Sequence, residues 1–226
     1  MNNEDIKPII VKFPLTGEWC AVNTPGESVP SHGTDALGQT YAYDFIQIDW
    51  NKEGFVFCDK PSVLFGTQLK DCYGWSQPIC APFDGKVIEV FDGVEERNPV
   101  HIVRDLAVAI ENGFFLKANN NVDLKSVLGN FIILKGDGFY SLMAHARRHS
   151  ILVSAGDMIK EGQPLAKVGH SGTSTIPHLH FQLMDSPELL KAKGLPCSFK
   201  DMHEYKEGEW CQVNNYIPGR RVRVRA

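Results

Sequence analysis

The stretch from 176 to 183 constrains this chain more than any other. It reads Ile-Pro-His-Leu-His-Phe-Gln-Leu, so polar and apolar side chains alternate after Pro177. A period of two is typical of a β-strand with one polar and one apolar face. His178 and His180 are therefore expected on the same face, with Cα atoms roughly 6–7 Å apart, close enough to serve one metal or acid–base site. The alternative is a pair of surface histidines on an amphipathic strand.

Three further residues are candidates for the same site. His32 lies in a long polar loop rich in Gly, Ser and Pro, and Asp44 lies in the strand pattern 41–49 that follows it. A loop histidine and a strand carboxylate are good ligand candidates when a rigid element holds them. His145 ends the second strand of a hairpin predicted over 130–145, whose turn is Gly136-Asp137. Taken alone, Asp44 also fits a turn cap and His32 a structural or exposed histidine.

The size and composition of the chain favour one mainly β domain. With 226 residues, of which 43% are hydrophobic, the chain is long enough for one substantial core. Its 20 glycines and 13 prolines are scattered, which indicates many turns between short strands. We predict a single domain over 1–226, with an insertion over 92–128 and a C-terminal extension over 186–226. Within the insertion, 122–128 is predicted to be a short helix or turn. In the extension, an N-terminal Ser-Pro and a terminal Gly predict a short helix over 186–194, and alternating arginines predict an edge strand over 220–225. The insertion is interpreted either as a wall of a substrate groove or as a decorative excursion.

Charge and hydropathy exclude several classes of partner. Lys and Arg number 23 against 27 Asp and Glu, a net charge of −4, so nothing global indicates nucleic acid or an anionic membrane. No apolar run approaches the ~20 residues of a membrane span. The first eight residues lack a basic and an apolar region, which predicts a cytoplasmic protein, or a secreted or cell-wall-associated one whose leader was removed. In a reducing compartment the six cysteines are expected to be free thiols: Cys20, Cys58, Cys72, Cys80, Cys197 and Cys211.

Four features occur in an order that resembles a known family. They are the His-loop-Asp segment, the Ala-Pro-Phe-Asp-Gly-Lys-Val sequence from Ala81, Ala144-His145 after a Tyr-containing strand, and Val-Gly-His-Ser-Gly-Thr-Ser-Thr-Ile-Pro-His-Leu-His-Phe over 168–181. Together they resemble the lysostaphin-like, or LytM-type, zinc metallopeptidases, over roughly 20–185. The resemblance implies an antiparallel β-sheet or sandwich core with a narrow groove, one or two short helices, and a single zinc at the groove floor.

The resemblance also implies a role for each candidate residue. His180 corresponds to a zinc ligand, and His178 and His145 correspond to the two non-ligand catalytic histidines. His32 corresponds to the ligand of the first family motif. There the chain departs from the usual pattern, because the family's ligand Asp comes four residues after the His, and that position is alanine here. We prefer Asp44 as the third ligand because a strand holds it, and Asp35 remains the alternative.

Two imidazoles and one carboxylate would leave the fourth position of zinc open, as a hydrolytic site requires. The sequence is therefore interpreted as a zinc-dependent metalloendopeptidase acting on peptides or peptidoglycan cross-links. The alternative is a catalytically inactive protein of the same fold with a binding or regulatory role. A third interpretation, a biotinyl or lipoyl carrier domain displaying Lys160, does not explain the four histidines.

Overall fold

The computed structural model of the chain describes residues 7–59, 65–118 and 123–226. Residues 1–6, on which part of the leader prediction rests, and 119–122 of the predicted insertion lie outside this part. The described chain is mainly β, as predicted, with two α-helices. The strands are β1 (Ile9–Lys12), β2 (Glu18–Asn23), β3 (Tyr43–Ile46), β4 (Pro78–Cys80), β5 (Gly85–Phe91), β6 (Asn130–Lys135), β7 (Tyr140–Ala146), β8 (Met158–Ile159), β9 (Pro164–Lys167), β10 (Leu179–Met184), β11 (Gly194–Leu195), β12 (Cys197–Lys200), β13 (Met202–Lys206), β14 (Glu209–Val213) and β15 (Val224–Arg225).

Most strands form one large sheet, and β10 lies inside it. The order is β14-β13-β15-β2-β3-β10-β7-β6-β5-β8, with β11 also pairing with β10. Neighbours in this sheet are antiparallel, including β10 with β3 and with β7. β4 pairs with β9, and β1 pairs with β12 in parallel. The predicted histidine strand therefore has a partner on each side, which fixes its register.

The alternation of side chains in the central strands gives the sheet two different faces. On one face, Phe181 packs with Tyr43 and Phe45, and these rings contact Phe13 and Phe199 at centroid distances of 4.9–5.8 Å. Edge-on and offset aromatic contacts of this kind add to the free energy gained by burying the rings. The other face carries a smaller apolar cluster and the polar residues of the candidate site. The aromatic core therefore packs against one face of the central strands, and the candidate site lies on the opposite face.

Both helices lie in the predicted insertion. α1 spans Ile102–Ala118 and α2 spans Leu124–Leu128, where Asp123 accepts a hydrogen bond from the Lys125 amide at the first turn. Within the insertion, the sequence indicated only the second helix, as a short helix or turn over 122–128. The 17-residue α1 was missed because Ile102, Leu106 and Ile110 are about half exposed, so its apolar residues do not mark a buried stripe. No helix in the described ranges is long and apolar enough to cross a membrane.

Two local predictions from the sequence are wrong. Residues 186–194 form turns rather than a helix, because the chain closes one turn at Glu188 and then joins the sheet edge beside β10 at Gly194. The tail at 220–225 is not an edge strand, since β15 lies between β13 and β2. The structure shows no disulfide at Cys20, Cys72, Cys80, Cys197 or Cys211, and the redox state of the thiols stays a prediction.

Candidate active site

The register of two strands brings a carboxylate and an imidazole together. In the antiparallel pairing of β3 with β10, Asp44 lies directly opposite His180. Tyr43 and Phe45 point into the aromatic core, so period-two alternation directs Asp44 to the other face. The His180 Nδ1 atom is 2.9 Å from the Asp44 Oδ1 atom.

The polar loop before β3 contributes a second imidazole. The His32 Nε2 atom is 2.9 Å from the Asp44 Oδ2 atom. One potential ligand atom from each of His32, Asp44 and His180 lies within 4.8 Å of the other two. Asp35 is exposed, and its Oδ1 accepts a hydrogen bond from the Thr40 hydroxyl at 2.9 Å. Among the described residues the cluster thus contains the preferred carboxylate and not the alternative one.

Neighbouring side chains fix which nitrogen of each ring carries hydrogen. The Gln182 amide nitrogen donates to the Leu37 carbonyl at 2.8 Å, so its Oε1 accepts from His180 Nε2, 3.0 Å away. The Ser31 hydroxyl donates to the Ala42 carbonyl at 2.7 Å and therefore accepts from His32 Nδ1 at 3.0 Å. Each imidazole then turns a lone pair toward Asp44.

Two lone pairs and a carboxylate facing one another form a cation site. The Asn23 amide donates to Asp44 Oδ2 at 2.6 Å, which orients the carboxylate. Burial alone would raise the pKa of Asp44, but His32 and His178 outweigh it and hold this pKa well below its ordinary value. Two imidazoles and one carboxylate are a donor set that suits Zn²⁺ and leaves a position open. The residues present therefore fit the metal.

A β-bulge places His145 at the same site. The β6–β7 pairing pairs Asn130 with Ala146 and Ile132 with Met143, so β7 carries one extra residue here. His145 has a φ of 62°, a left-handed conformation that costs a non-glycine residue roughly 1–2 kcal/mol. Without the bulge, His145 would share the face of Met143 and point into the aromatic core. The bulge turns the imidazole to the cleft side instead.

Backbone carbonyls orient the two histidines that are not in the ligand cluster. His145 Nδ1 donates to the Ser171 carbonyl at 2.9 Å, and His178 Nδ1 donates to the Ile176 carbonyl at 2.7 Å. The two rings lie 4.7 Å apart between centroids, and His178 Nε2 is 3.5 Å from Asp44 Oδ1. A carbonyl can only accept, so both rings carry their hydrogen on Nδ1 and turn Nε2 away from these carbonyls.

The pKa values of these two rings move in opposite directions. Burial, together with the neighbouring His178 and His180, holds the pKa of His145 well below its usual range. Burial also lowers the pKa of His178, but the attraction of the Asp44 carboxylate outweighs it and raises this pKa overall. His178 therefore binds a proton more strongly than His145 does.

All five predicted site residues line one cleft of about 240 Å³. Ala109 of α1 and Thr173 also line it, so the insertion forms part of its wall. The sequence reasoning gave no role to Gln182, Ser31 or Asn23, which orient the ligand cluster. Gln182 was visible as a member of the polar strand face, whereas Ser31 and Asn23 gave no sequence signal.

Of the other histidines, His149 is exposed and His101 and His203 are half-buried. None of them belongs to the ligand cluster found among the described residues. His170 is completely buried, which its place in a Gly/Ser turn did not predict.

Comparison with known families bears directly on this geometry. Residues 103–192 match Peptidase family M23. The similarity to family M23 covers these 90 of the 226 residues. The M23 match begins in α1 and ends after β10, so it includes His145, His178 and His180. His32 and Asp44 precede the matched residues.

Two similar proteins have names that refer to the cell envelope. The chain is 35% identical over 103 residues to outer membrane antigenic lipoprotein B of Histophilus somni, and this covers 45% of the chain and 30% of that protein. It is 36% identical over 115 residues to murein hydrolase activator NlpD of Salmonella dublin, covering 48% of the chain and 29% of that protein. The chain thus spans less than a third of the length of each relative.

Among solved structures, the catalytic domain of lysostaphin from Staphylococcus simulans aligns with 79% of this chain and 88% of that domain. The identity is 19% and the TM-score is 0.39.

Proposed function

We propose that this chain is a zinc-dependent endopeptidase that hydrolyses peptide bonds, with peptidoglycan cross-links as its substrate class. The observation that supports it most is the convergence of His32, Asp44, His180, His145 and His178 on one cleft. The first three would hold the zinc. The last two face it without belonging to the ligand cluster, as general acid–base residues must.

The surroundings of His145 and His178 in the cleft suit two different roles in proton transfer. Zinc, when bound, acts as a Lewis acid and brings the pKa of water toward ~7. His145, held neutral with its Nδ1–H on the Ser171 carbonyl, accepts the proton of the attacking water at Nε2. His178, whose proton Asp44 stabilises, donates from Nε2 to the developing oxyanion or to the departing amine. These roles narrow the two-histidine mechanism that the sequence resemblance implied.

The peptidoglycan substrate rests on the names of the relatives. One is called a murein hydrolase activator, and murein is peptidoglycan. A wall substrate requires the protein to act outside the cytoplasm. We therefore propose a secreted or cell-wall-associated location, which is one of the two locations given as expectations in the sequence analysis. Fractionation of cells into cytoplasm, membrane and wall, followed by immunodetection, would test this location.

Hydrolysis of defined peptides tests the proposed activity. Zinc-loaded protein is incubated with cross-linked muropeptides and with glycine-bridge peptides, and the products are separated by mass spectrometry. His145→Ala and His178→Ala should each lower kcat by about 10²–10⁴-fold, because each removes a proton-transfer group. Both should keep their zinc, whereas His180→Ala should lose it. His149→Ala, an exposed histidine, is the matched control and should keep full activity.

The second candidate is a regulator that binds murein or a murein hydrolase without cutting peptide bonds. The name of the activator relative favours it. A zinc-loaded native protein that cleaves none of these peptides but stimulates a murein hydrolase would support the regulator and contradict the endopeptidase. Equal cleavage by the native protein and by both histidine variants would also contradict the assigned roles.

A further inference from the structure

A second cavity, of about 380 Å³, adjoins the candidate active site. The residues that line both this cavity and the cleft are Asn23, Asp44, Thr175 and His178, so the two spaces lie side by side at the ligand cluster. A peptide that is cut in its interior has residues on both sides of the scissile bond, and these residues need room on both sides of the metal. The second cavity provides such room beside Asp44 and His178.

Most of the wall of the second cavity is apolar. Its apolar side chains come from β2, β3, the segment after β3, the start of α1 and the loop before β10, and they are Val22, Ile46, Phe55, Phe57, Ile102 and Ile176. A wall of this kind binds the aliphatic parts of a ligand, whereas a few polar groups decide which ligand is accepted. The polar residues of the cavity therefore carry its specificity.

Two arginines of the C-terminal extension line the same cavity. Arg220 and Arg221 are both exposed. Among the residues that the structure describes neither of them forms an ion pair, whereas Arg223 of the same segment pairs with Glu18. Asp44 is the single carboxylate among the described residues of the cavity wall, and it belongs to the ligand cluster. The cavity is thus lined by two cations that have no anionic partner in the described part of the chain.

The backbone of both arginines is fixed beside the bulge in β2. Arg220 forms a parallel bridge with Ala21, and the Arg221 amide donates to the Ala21 carbonyl at 2.8 Å. The bulge lies between Ala21 and Asn23, and Asn23 donates to Asp44. The arginines and the ligand cluster therefore share one support, which lowers the entropy cost of binding a ligand between them.

The Arg221 guanidinium lies over an aromatic ring of the cavity wall. Its Cζ atom is 5.1 Å from the centroid of the Phe55 ring. A stacked guanidinium keeps the N–H donors of its edge for an anion, and a carboxylate fits them through two parallel hydrogen bonds. Phosphate fits the same donors, but a carboxylate is the anion that a peptide substrate carries.

We propose that Arg220 and Arg221 form a carboxylate-binding subsite beside the ligand cluster, which selects peptides with a free carboxylate near the bond to be cut. This inference rests on the proposed function, because it names the kind of peptide that the cleft accepts. The apolar wall takes the aliphatic part of the peptide, and the two guanidinium groups take its carboxylate. That carboxylate belongs either to the end of the peptide chain or to a side chain.

Binding is measured apart from cleavage. Zinc-loaded His145→Ala lacks the proposed base but keeps every residue of the second cavity, and it is titrated with synthetic cross-linked muropeptides in a calorimeter. The peptides have all carboxylates free, only the chain-terminal carboxylate converted to an amide, or only the side-chain carboxylates converted to amides. We expect one of the two amides to weaken binding by about 10-fold, and that amide identifies the source of the carboxylate. Equal affinity for all three forms, or no binding of the free form, would overturn the proposal.

Substitution of each arginine tests the protein side of the contact. In the His145→Ala background, Arg220→Gln and Arg221→Gln should each weaken binding of the free form by about 10-fold and bind the discriminated amide as before. Arg225→Gln is the matched control, because it removes a cation of the same extension that does not line the cavity. A loss of the same size in Arg225→Gln would reduce the effect to general electrostatic attraction and contradict the subsite. If an arginine variant fails to fold, the comparison of the three peptides still decides.

The muropeptide assay measures the same contact through KM. An interaction that is equally strong before and during the reaction changes KM and not kcat, so we expect KM to rise by about 10-fold in Arg220→Gln and Arg221→Gln. Their kcat and zinc content should stay unchanged, and a loss of zinc would instead make the arginines supports of the ligand cluster. If the native protein cleaves no peptide, the proposed function fails, and calorimetry still decides whether the subsite exists.

Discussion

Gln182 lies directly behind His180 and decides which nitrogen of that ring faces the ligand cluster. Gln182→Leu removes the acceptor and leaves the Nε2 hydrogen of His180 without a partner. Because an outer partner of this kind raises ligand basicity, we expect zinc affinity to fall by about 10–100-fold, measured by competition with a chromogenic chelator. Gln39→Leu, at another glutamine lining the cleft, is the control and should bind zinc as the native protein does. Native affinity in Gln182→Leu would show that His180 needs no such support.

His170 makes the stability of the protein depend on pH. Burial, Arg97 and His178 lower its pKa in the folded state, so it stays neutral there while the unfolded chain takes up a proton below about pH 6.5. Its contribution to stability is therefore complete above the unfolded pKa and is lost as the pH falls, at no more than ~1.4 kcal/mol per pH unit.

The measurement for His170 is urea denaturation at several values between pH 7 and pH 5. The free energy of unfolding should fall less steeply in His170→Gln than in the native protein. His149→Gln, an exposed histidine, should follow the native curve. Parallel curves for the native protein and His170→Gln would contradict a neutral, buried His170.

Single residues were the most predictable part of the site. The period of two in β10 and the sequence positions of His32, Asp44 and His145 predicted five side chains that the structure brings to one cleft. The supporting residues were not predictable, because Asn23 reaches Asp44 only through a bulge in β2, where Val22 is the extra residue. A contact that depends on register shift has no signal in local sequence.

At the scale of elements, the loop over 169–175 contacts both His145 and His178. Its Ser171 carbonyl orients His145 and its Ser174 hydroxyl contacts His178. Gly172 holds this loop against the end of α2 with a φ of 66°, and an added Cβ would stand 2.5 Å from the Val127 carbonyl oxygen. The loop can therefore approach α2 only through glycine.

Replacing Gly172 by alanine tests this close approach. The left-handed conformation costs alanine about 1 kcal/mol, and the overlap with backbone adds roughly 1–3 kcal/mol, so we expect a loss of about 3 kcal/mol in the free energy of unfolding. Gly138→Ala is the control, because Gly138 has a φ of 81° with nothing within 4 Å of the added Cβ, and it should lose only about 1 kcal/mol. Equal losses in urea denaturation would show that the loop relaxes away from α2.

Secondary structure was predicted correctly where neighbouring strands form a hairpin. It was predicted wrongly where contacts with distant parts of the chain determine the conformation. The hairpin of β6 and β7 was predicted from its turn and alternation, and the pairing confirms it. The segment at 186–194 has the end signals of a helix, but pairing of β11 with β10 takes the chain into the sheet. α1 was missed for the opposite reason, since it is anchored through the buried Asp105 and Arg97 rather than by an apolar stripe.

For the whole molecule, the mainly β architecture followed from scattered turns and alternating strands. The sheet order was not accessible, because it depends on pairings between distant segments, such as β15 between β13 and β2. Arg223 illustrates this, since it binds Glu18 at 2.6 Å and stacks on Trp50, Tyr205 and Trp210 rather than facing water. The tail predicted as an exposed edge is instead part of the sheet interior.

We propose that the fold assembles one zinc site from His32, Asp44 and His180, which lie in three segments of the chain. Zinc per chain, measured by elemental analysis after dialysis against zinc, tests it on the native protein and on Asp44→Ala, His180→Ala and Asp35→Ala. We expect one zinc per chain in the native protein and in Asp35→Ala, and loss of zinc in the other two variants. A native protein that takes up no zinc, or loss of zinc in Asp35→Ala but not in Asp44→Ala, would contradict it.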